Sequence, residues 1–127
     1  RNITSQLDAL AYIQKILDNE NIFYWVVQLK DSQESIGLVT FIKRDYLPYH
    51  DIGFAFLAGF QKMGYAYEAT MAVLDKLISE LKLSHIVATT VPGNIKSIKL
   101  LQKIGLTFEK EIEVEKEKLH VYGMSVV

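Results

Sequence analysis

The chain has 127 residues, half of them hydrophobic and 23% charged, with a formal net charge of −1; that length suits one globular domain with its own core. This balance argues against nucleic acid or an anionic membrane as a partner, because phosphate-backbone binding rests on a clustered basic excess. The absence of cysteine excludes disulfides, thiolate catalysis and cysteine-ligated zinc, and with neither a bilayer-length apolar run nor a signal-peptide pattern at Arg1-Asn2-Ile3-Thr4 a cytoplasmic protein is expected.

Ser5-Gln6-Leu7-Asp8 reads as a capping box ahead of Leu10, Ile13 and Leu17, which predicts an amphipathic helix over 5–19. Two runs rich in aromatic and β-branched residues, 22–29 and 36–42, flank a polar turn and predict a hairpin. The stretch 43–50 is a loop, and the short apolar run 52–57 is a buried strand. Tyr67, Met71, Leu74, Ile78 and Leu81 recur at helical spacing and predict a long helix over 66–83. A strand over 85–91 is broken by Pro92-Gly93-Asn94, where Asn94 suits the cap of a helix that Gly105 ends. Phe108, Ile112 and Val114 alternate with glutamates over 106–115, a strand with one solvated face, and 119–127 is the last strand after a turn at 116–118.

The loop ahead of the long helix carries Gly59 and Gly64. Helix-opening amides lack intrahelical acceptors and the helix dipole adds positive potential, so an anion such as a pyrophosphate fits there, with Lys62 as an added cation. A plain strand-to-helix turn is the competing use of two glycines. The segment matches neither the Walker A pattern nor the Gly-x-Gly-x-x-Gly dinucleotide fingerprint, which leaves ATP and NAD sites unsupported.

Gln61, Gly64 and Ala66, followed by Glu68-Ala69, resemble the acetyl-coenzyme A motif Gln/Arg-x-x-Gly-x-Gly/Ala of the GNAT N-acetyltransferases. A second block, Asn94-Ile95-Lys96-Ser97 with Leu100 to Leu106, resembles the Asn-x-x-Ser…Leu-Leu-x-x-x-Gly-Phe segment of the ribosomal-protein alanine N-acetyltransferase branch, and the strands at Ile36-Gly37, Asp51-Ile52-Gly53-Phe54 and Val121-Tyr122-Gly123-Met124 follow that branch's order. The resemblance implies an α/β (α+β) fold, a mixed, mostly antiparallel sheet of about six strands flanked by about three helices. It also implies a strand and helix ahead of the segment that aligns with 1–19, so the domain over 1–127 is expected to be incomplete at its N-terminus.

By this resemblance the cosubstrate is acetyl-CoA, with its pyrophosphate on the amides of Lys62, Met63, Gly64, Tyr65 and Ala66 beside Gln61. Its pantetheine arm would pair with the strand at Ala55, Phe56 and Leu57, splayed from the strand over 85–91, near Asn94 and Ser97. The reaction implied is direct acetyl transfer to a primary amine, a protein N-terminus or a small molecule, with no metal. Asp51 and His50 are candidate bases and Tyr122 a candidate acid for the departing thiolate, since Leu101 stands where many members carry a tyrosine. His85 and His120 are expected to be structural, and a homodimer is a possible assembly. A non-catalytic GNAT-like module that binds coenzyme A or a protein partner is the alternative.

Overall fold

Apolar residues at every second position put one face of 22–29 and of 36–42 into a core. The computed structural model, which describes residues 7–10, 22–61 and 63–126, pairs these runs as antiparallel strands β2 (Ile22–Leu29) and β3 (Ser35–Ile42), with Val27, Val39 and Phe41 fully buried. The chain continues through β4 (Asp51–Phe56), α1 (Met63–Glu80), β5 (His85–Thr90), α2 (Ile95–Lys103), β6 (Thr107–Val114) and β7 (Glu117–Ser125). With β1 (Leu7–Leu10), the described strands form one seven-stranded sheet of order β1-β2-β3-β4-β5-β7-β6. All neighbours are antiparallel except β4 and β5, which run parallel because α1 crosses between them. The expected mixed, mostly antiparallel α/β architecture is present.

The first predicted helix needs correction at Leu7–Leu10. These residues lie along β2, from Leu7↔Leu29 to Leu10↔Val26. A sheet edge presents a row of backbone donors and acceptors, and pairing with it satisfies groups that a single helical turn leaves open. The other positions of that predicted helix fall outside the described residues.

Helix α1 starts at Met63 and ends at Glu80, three residues ahead of the expected bounds at both ends. Its buried stripe is Ala66, Ala69, Thr70, Val73, Leu74 and Leu77, whereas Tyr67, Met71 and Ile78 pack at its margin and Leu81 is exposed. The expected stripe therefore holds at Leu74 and, at the margin of the core, at Tyr67, Met71 and Ile78, and fails only at Leu81. The small ones, Ala66 and Ala69, are what let the helix approach the sheet closely. Both described helices share one core cluster with Ile52, Ile86, Ala88 and Tyr122. A smaller cluster of Leu47, Val87 and Val121 lies apart from it, and there Leu47, rather than the exposed Tyr46 and Tyr49, is the residue of the 43–50 loop that packs inward.

The last hairpin turns at Glu115 and Lys116, which both have positive φ (50° and 69°), and not at 116–118. Strand β6 is also more exposed than an alternating pattern predicts, Phe108 included. A register shift between Phe108 and Lys110 breaks the alternation at Glu109.

Candidate functional site

The site starts from a mismatch in strand pairing. Strand β4 pairs with β3 along its whole length, from Ile42↔Asp51 to Gly37↔Phe56, but with β5 only at Asp51↔Val87. Strand β5 meanwhile pairs with β7 over all six residues, so β4 stays with β3 and β5 with β7 while the two part beyond that point. Two hydrogen bonds give the direction of the exposed backbone groups. The Leu57 amide donates to Ile36 O at 2.8 Å, and the Val87 amide donates to His50 O at 3.2 Å. Backbone groups alternate sides along a strand, so residues 51, 53, 55 and 57 address β3, and His50, Ile52, Phe54 and Phe56 address β5. Past the junction, Phe54 and Phe56 therefore turn their backbone groups into the opening.

A cleft of about 310 Å³ fills that opening. Phe54, Ala55 and Phe56 form its β4 wall, Gln61 and Ala66 come from the loop and α1, and Asn94, Lys96, Ser97 and Leu100 come from α2 and its cap. Local chemistry builds each wall. Gly37 leaves room for Phe56, since a Cβ there would lie 2.6 Å from the ring. The loop after β4 makes a turn in which Phe60 N–H donates to Leu57 O at 2.9 Å with Gly59 at φ 91°, a conformation that favours glycine. Gln61 Nε2 then donates to Phe56 O at 3.1 Å and ties the loop to the strand end.

The expected loop residues divide into three groups. Gln61 and Ala66 line the cleft, and Met63, Gly64 and Tyr65 form the first turn of α1 beside it. Lys62 lies outside the described residues. Leu57 does not line the cleft; its side chain is exposed and its amide is bonded to Ile36. Gly64 differs from expectation in a way that sharpens its meaning. It is helical, without positive φ, and a Cβ added to it would meet nothing within 4 Å. Neither backbone conformation nor internal packing requires a glycine there.

Asn94 caps α2, its Oδ1 accepting from the Ser97 amide at 3.2 Å. An amide side chain keeps its two NH₂ donors when its oxygen is used this way, so capping and facing the cleft are compatible. Gly105, at φ 108°, ends the helix, with Leu106 N–H donating to Leu101 O at 2.9 Å.

The three candidate catalytic residues lie elsewhere. Asp51 is buried at the β4–β5 junction, about 13 Å along the strand from Ala55. Its Oδ2 accepts from Arg44 Nε at 3.0 Å and from Thr89 Oγ1 at 3.3 Å. Burial pushes the carboxyl above its usual range, and Arg44 and Thr89 oppose that shift. His50 stacks on Phe41, ring centroids 4.7 Å apart, and burial followed by the Lys43 charge holds its imidazole below its usual value. Tyr122 is enclosed in the core, 5% exposed and 5.8 Å from the Phe108 ring, and does not line the cleft. His85 and His120 pair with Glu109 at 2.6 Å and Glu111 at 3.0 Å. Among the described residues, no three His, Asp or Glu side chains gather as a metal site requires, and no helix is long and apolar enough to cross a membrane.

Phe54, Lys96 and Leu100 are the lining residues that sequence reasoning missed. Phe54 shares the strand parity of Phe56, and Leu100 lies on the apolar face of α2. Lys96 carried a signal too, because a lysine in the first turn opposes the helix dipole.

The family model described as acetyltransferase (GNAT) domain matches residues 2–107. The uncharacterized N-acetyltransferase YnaD of Bacillus subtilis (strain 168) is 34% identical over 107 residues, 84% of this chain and 62% of YnaD. Ribosomal-protein-S5-alanine acetyltransferase from Vibrio fischeri matches with a TM-score of 0.72 at 24% identity, over 82% of this chain and 61% of that one. Mycobacterium smegmatis RimJ, solved in complex with CoA-disulfide, matches with a TM-score of 0.71 at 21% identity, over 83% of this chain and 53% of that one. The chain therefore spans less than two thirds of the length of each of these relatives.

Proposed function

The chain belongs to the GNAT acetyltransferase family, and from that premise we propose that it transfers an acetyl group from acetyl-CoA to a primary amine. The observation that carries this reading is the single pairing of β4 with β5, which opens a cleft between the N-terminal ends of α1 and α2. The cleft suits the proposed cosubstrate. Gly64 has no structural need to be glycine, and close approach of a phosphate to the α1 amides supplies a reason. RimJ, which shares the fold, was solved in complex with CoA-disulfide, and this supports a coenzyme as the ligand proposed here.

Acetyl-CoA supplies the activated acetyl thioester; this chain's residues would position it. The first amides of α1, from Met63 to Ala66, hold the pyrophosphate, and Gln61 keeps the loop in place by its bond to Phe56 O. Backbone groups of Phe54 and Phe56 pair with the pantetheine arm, in place of the expected Ala55 and Leu57, and Asn94 and Ser97 face it from α2. The amides turned into the gap also serve as donors to the thioester carbonyl oxygen, where fixed dipoles stabilise developing negative charge at little reorganisation cost.

The attacking amine must be neutral, so a proton acceptor belongs on the acceptor side of the β4–β5 junction. His50 is the apter candidate, since burial and then the Lys43 charge lower its pKa and so favour the neutral imidazole. Asp51 already accepts from Arg44 and Thr89 through Oδ2, and Tyr122 is enclosed in the core. The acceptor class proposed is a peptide N-terminus or a small amine, and the cytoplasm is the compartment proposed.

Calorimetric titration with acetyl-CoA followed by thiol release across a panel of peptide and small-molecule amines tests the reading. Binding with amine-dependent thiol release is expected. Binding without turnover would assign a coenzyme-binding module instead, and no heat at millimolar acetyl-CoA would end the proposal.

A further inference from the structure

Among the described residues, Lys96 is the only charged side chain lining the cleft. It stands in the first turn of α2, where no acidic residue offsets the helix dipole, and the first turn of α1 likewise has none. Among the described residues Lys96 makes no ion pair, although Lys76 and Arg44 each have a carboxylate partner. A lysine ammonium next to the positive end of a helix, without a counter-charge, is unfavourable in the empty protein. Departures from local preference that the fold does not require concentrate where a ligand supplies the compensation.

We propose that Lys96 is a positioning residue for the coenzyme, its ammonium neutralising a phosphate group and so selecting phosphorylated acyl carriers over the bare acyl-pantetheine thioester. This inference rests on the acetyl-CoA reading above and adds to it the residue that sets carrier specificity. The geometry explains why the lysine comes from α2. The α1 amides would reach a phosphate by hydrogen bonds, and Lys96, which lines the same cleft from α2, would reach it as a point charge on a flexible stem. Gln61, Asn94 and Ser97 supply only neutral polar groups, which suits the amides of the pantetheine arm.

The test is calorimetric titration of the protein and of its Lys96→Gln and Lys96→Arg variants with acetyl-CoA, acetyl-dephospho-CoA and S-acetylpantetheine. Lys96 is exposed, so both variants should fold, as far-UV circular dichroism would verify. Lys96→Gln is expected to weaken acetyl-CoA binding about tenfold, the scale of one charge-assisted contact, to leave S-acetylpantetheine unchanged, and to be rescued by Lys96→Arg. If the loss extends to acetyl-dephospho-CoA, the contact is with the diphosphate; if it vanishes there, the contact is with the 3′-phosphate. Either supports the assignment. An unchanged acetyl-CoA affinity in Lys96→Gln, or an equal loss for S-acetylpantetheine, would overturn it. Failure of the unmodified protein to bind acetyl-CoA is a separate outcome that removes the coenzyme reading itself.

Discussion

Arg44 Nε lies 3.0 Å from Asp51 Oδ2, a contact between a guanidinium 39% exposed and a carboxylate 6% exposed. It holds the start of the 43–50 loop against the first residue of β4, at the one position where β4 and β5 are joined.

The sign of the resulting pH dependence follows from the direction of the Asp51 shift. Burial raises its folded value above the ordinary 3.8, despite Arg44 and Thr89. Its contribution to stability is therefore complete below pH 3.8 and lost as pH rises through the raised folded value. Arg44→Ala removes the counter-charge and should lower stability at pH 7 by about 1 to 2 kcal/mol, discounted for the exposure of the arginine. The deficit should shrink near pH 3, where Asp51 is protonated. Urea titrations at both pH values check this, and a deficit independent of pH would show that the pair's charge is irrelevant.

Gly64 allows stability and binding to be separated. Gly64→Ala should raise the stability of the ligand-free protein by up to about 1 kcal/mol, because alanine is the better helix residue and the added Cβ meets nothing. Gly64→Glu should fold equally well but lose acetyl-CoA binding by at least about a hundredfold, since it sets a carboxylate against the pyrophosphate. Thermal melts with and without ligand measure both; undiminished binding by Gly64→Glu would move the pyrophosphate elsewhere.

Asn94 has two roles that a pair of substitutions can divide. Asn94→Ala should cost about 1 kcal/mol of stability through loss of the cap, and Asn94→Ser should retain most of it. Both should weaken acetyl-CoA binding, because neither supplies the amide donors. If Asn94→Ser binds normally, capping is the whole function of this residue.

The turn between β6 and β7 is occupied by residues ill suited to it. Glu115 and Lys116 both have positive φ, a conformation that two-residue hairpin turns give to Asn-Gly. Glu115→Asn combined with Lys116→Gly should stabilise the protein by about 1 to 2 kcal/mol and leave acetyl-CoA affinity unchanged. An unchanged melting temperature would mean that the turn carries no strain.

The two motif blocks were legible because each is local. Gln61, Gly64 and Ala66 sit around one helix start, and Asn94 with Ser97 around another. Residues whose part depends on strand parity were not. Whether Ala55 or Phe54 opens its backbone to the gap is decided by the bond from Leu57 to Ile36, and apolar patterning has no access to hydrogen-bond register. The stripe of α1 was read incompletely for a different reason, since Ala66 and Ala69 carry little hydrophobic signal yet are buried beside Leu74.

Local chemistry in the sequence determined most strands, both described helices, the caps and the family resemblance, because propensity, period and turn residues act over a few positions. Only the tertiary structure decided that Leu7–Leu10 joins the edge of β2, that Tyr122 is enclosed in the core, and that Lys96 shares a cleft with Phe54 and Ala66. Each of these depends on which distant segments compete for the same surface, and that competition is settled by packing the whole sheet.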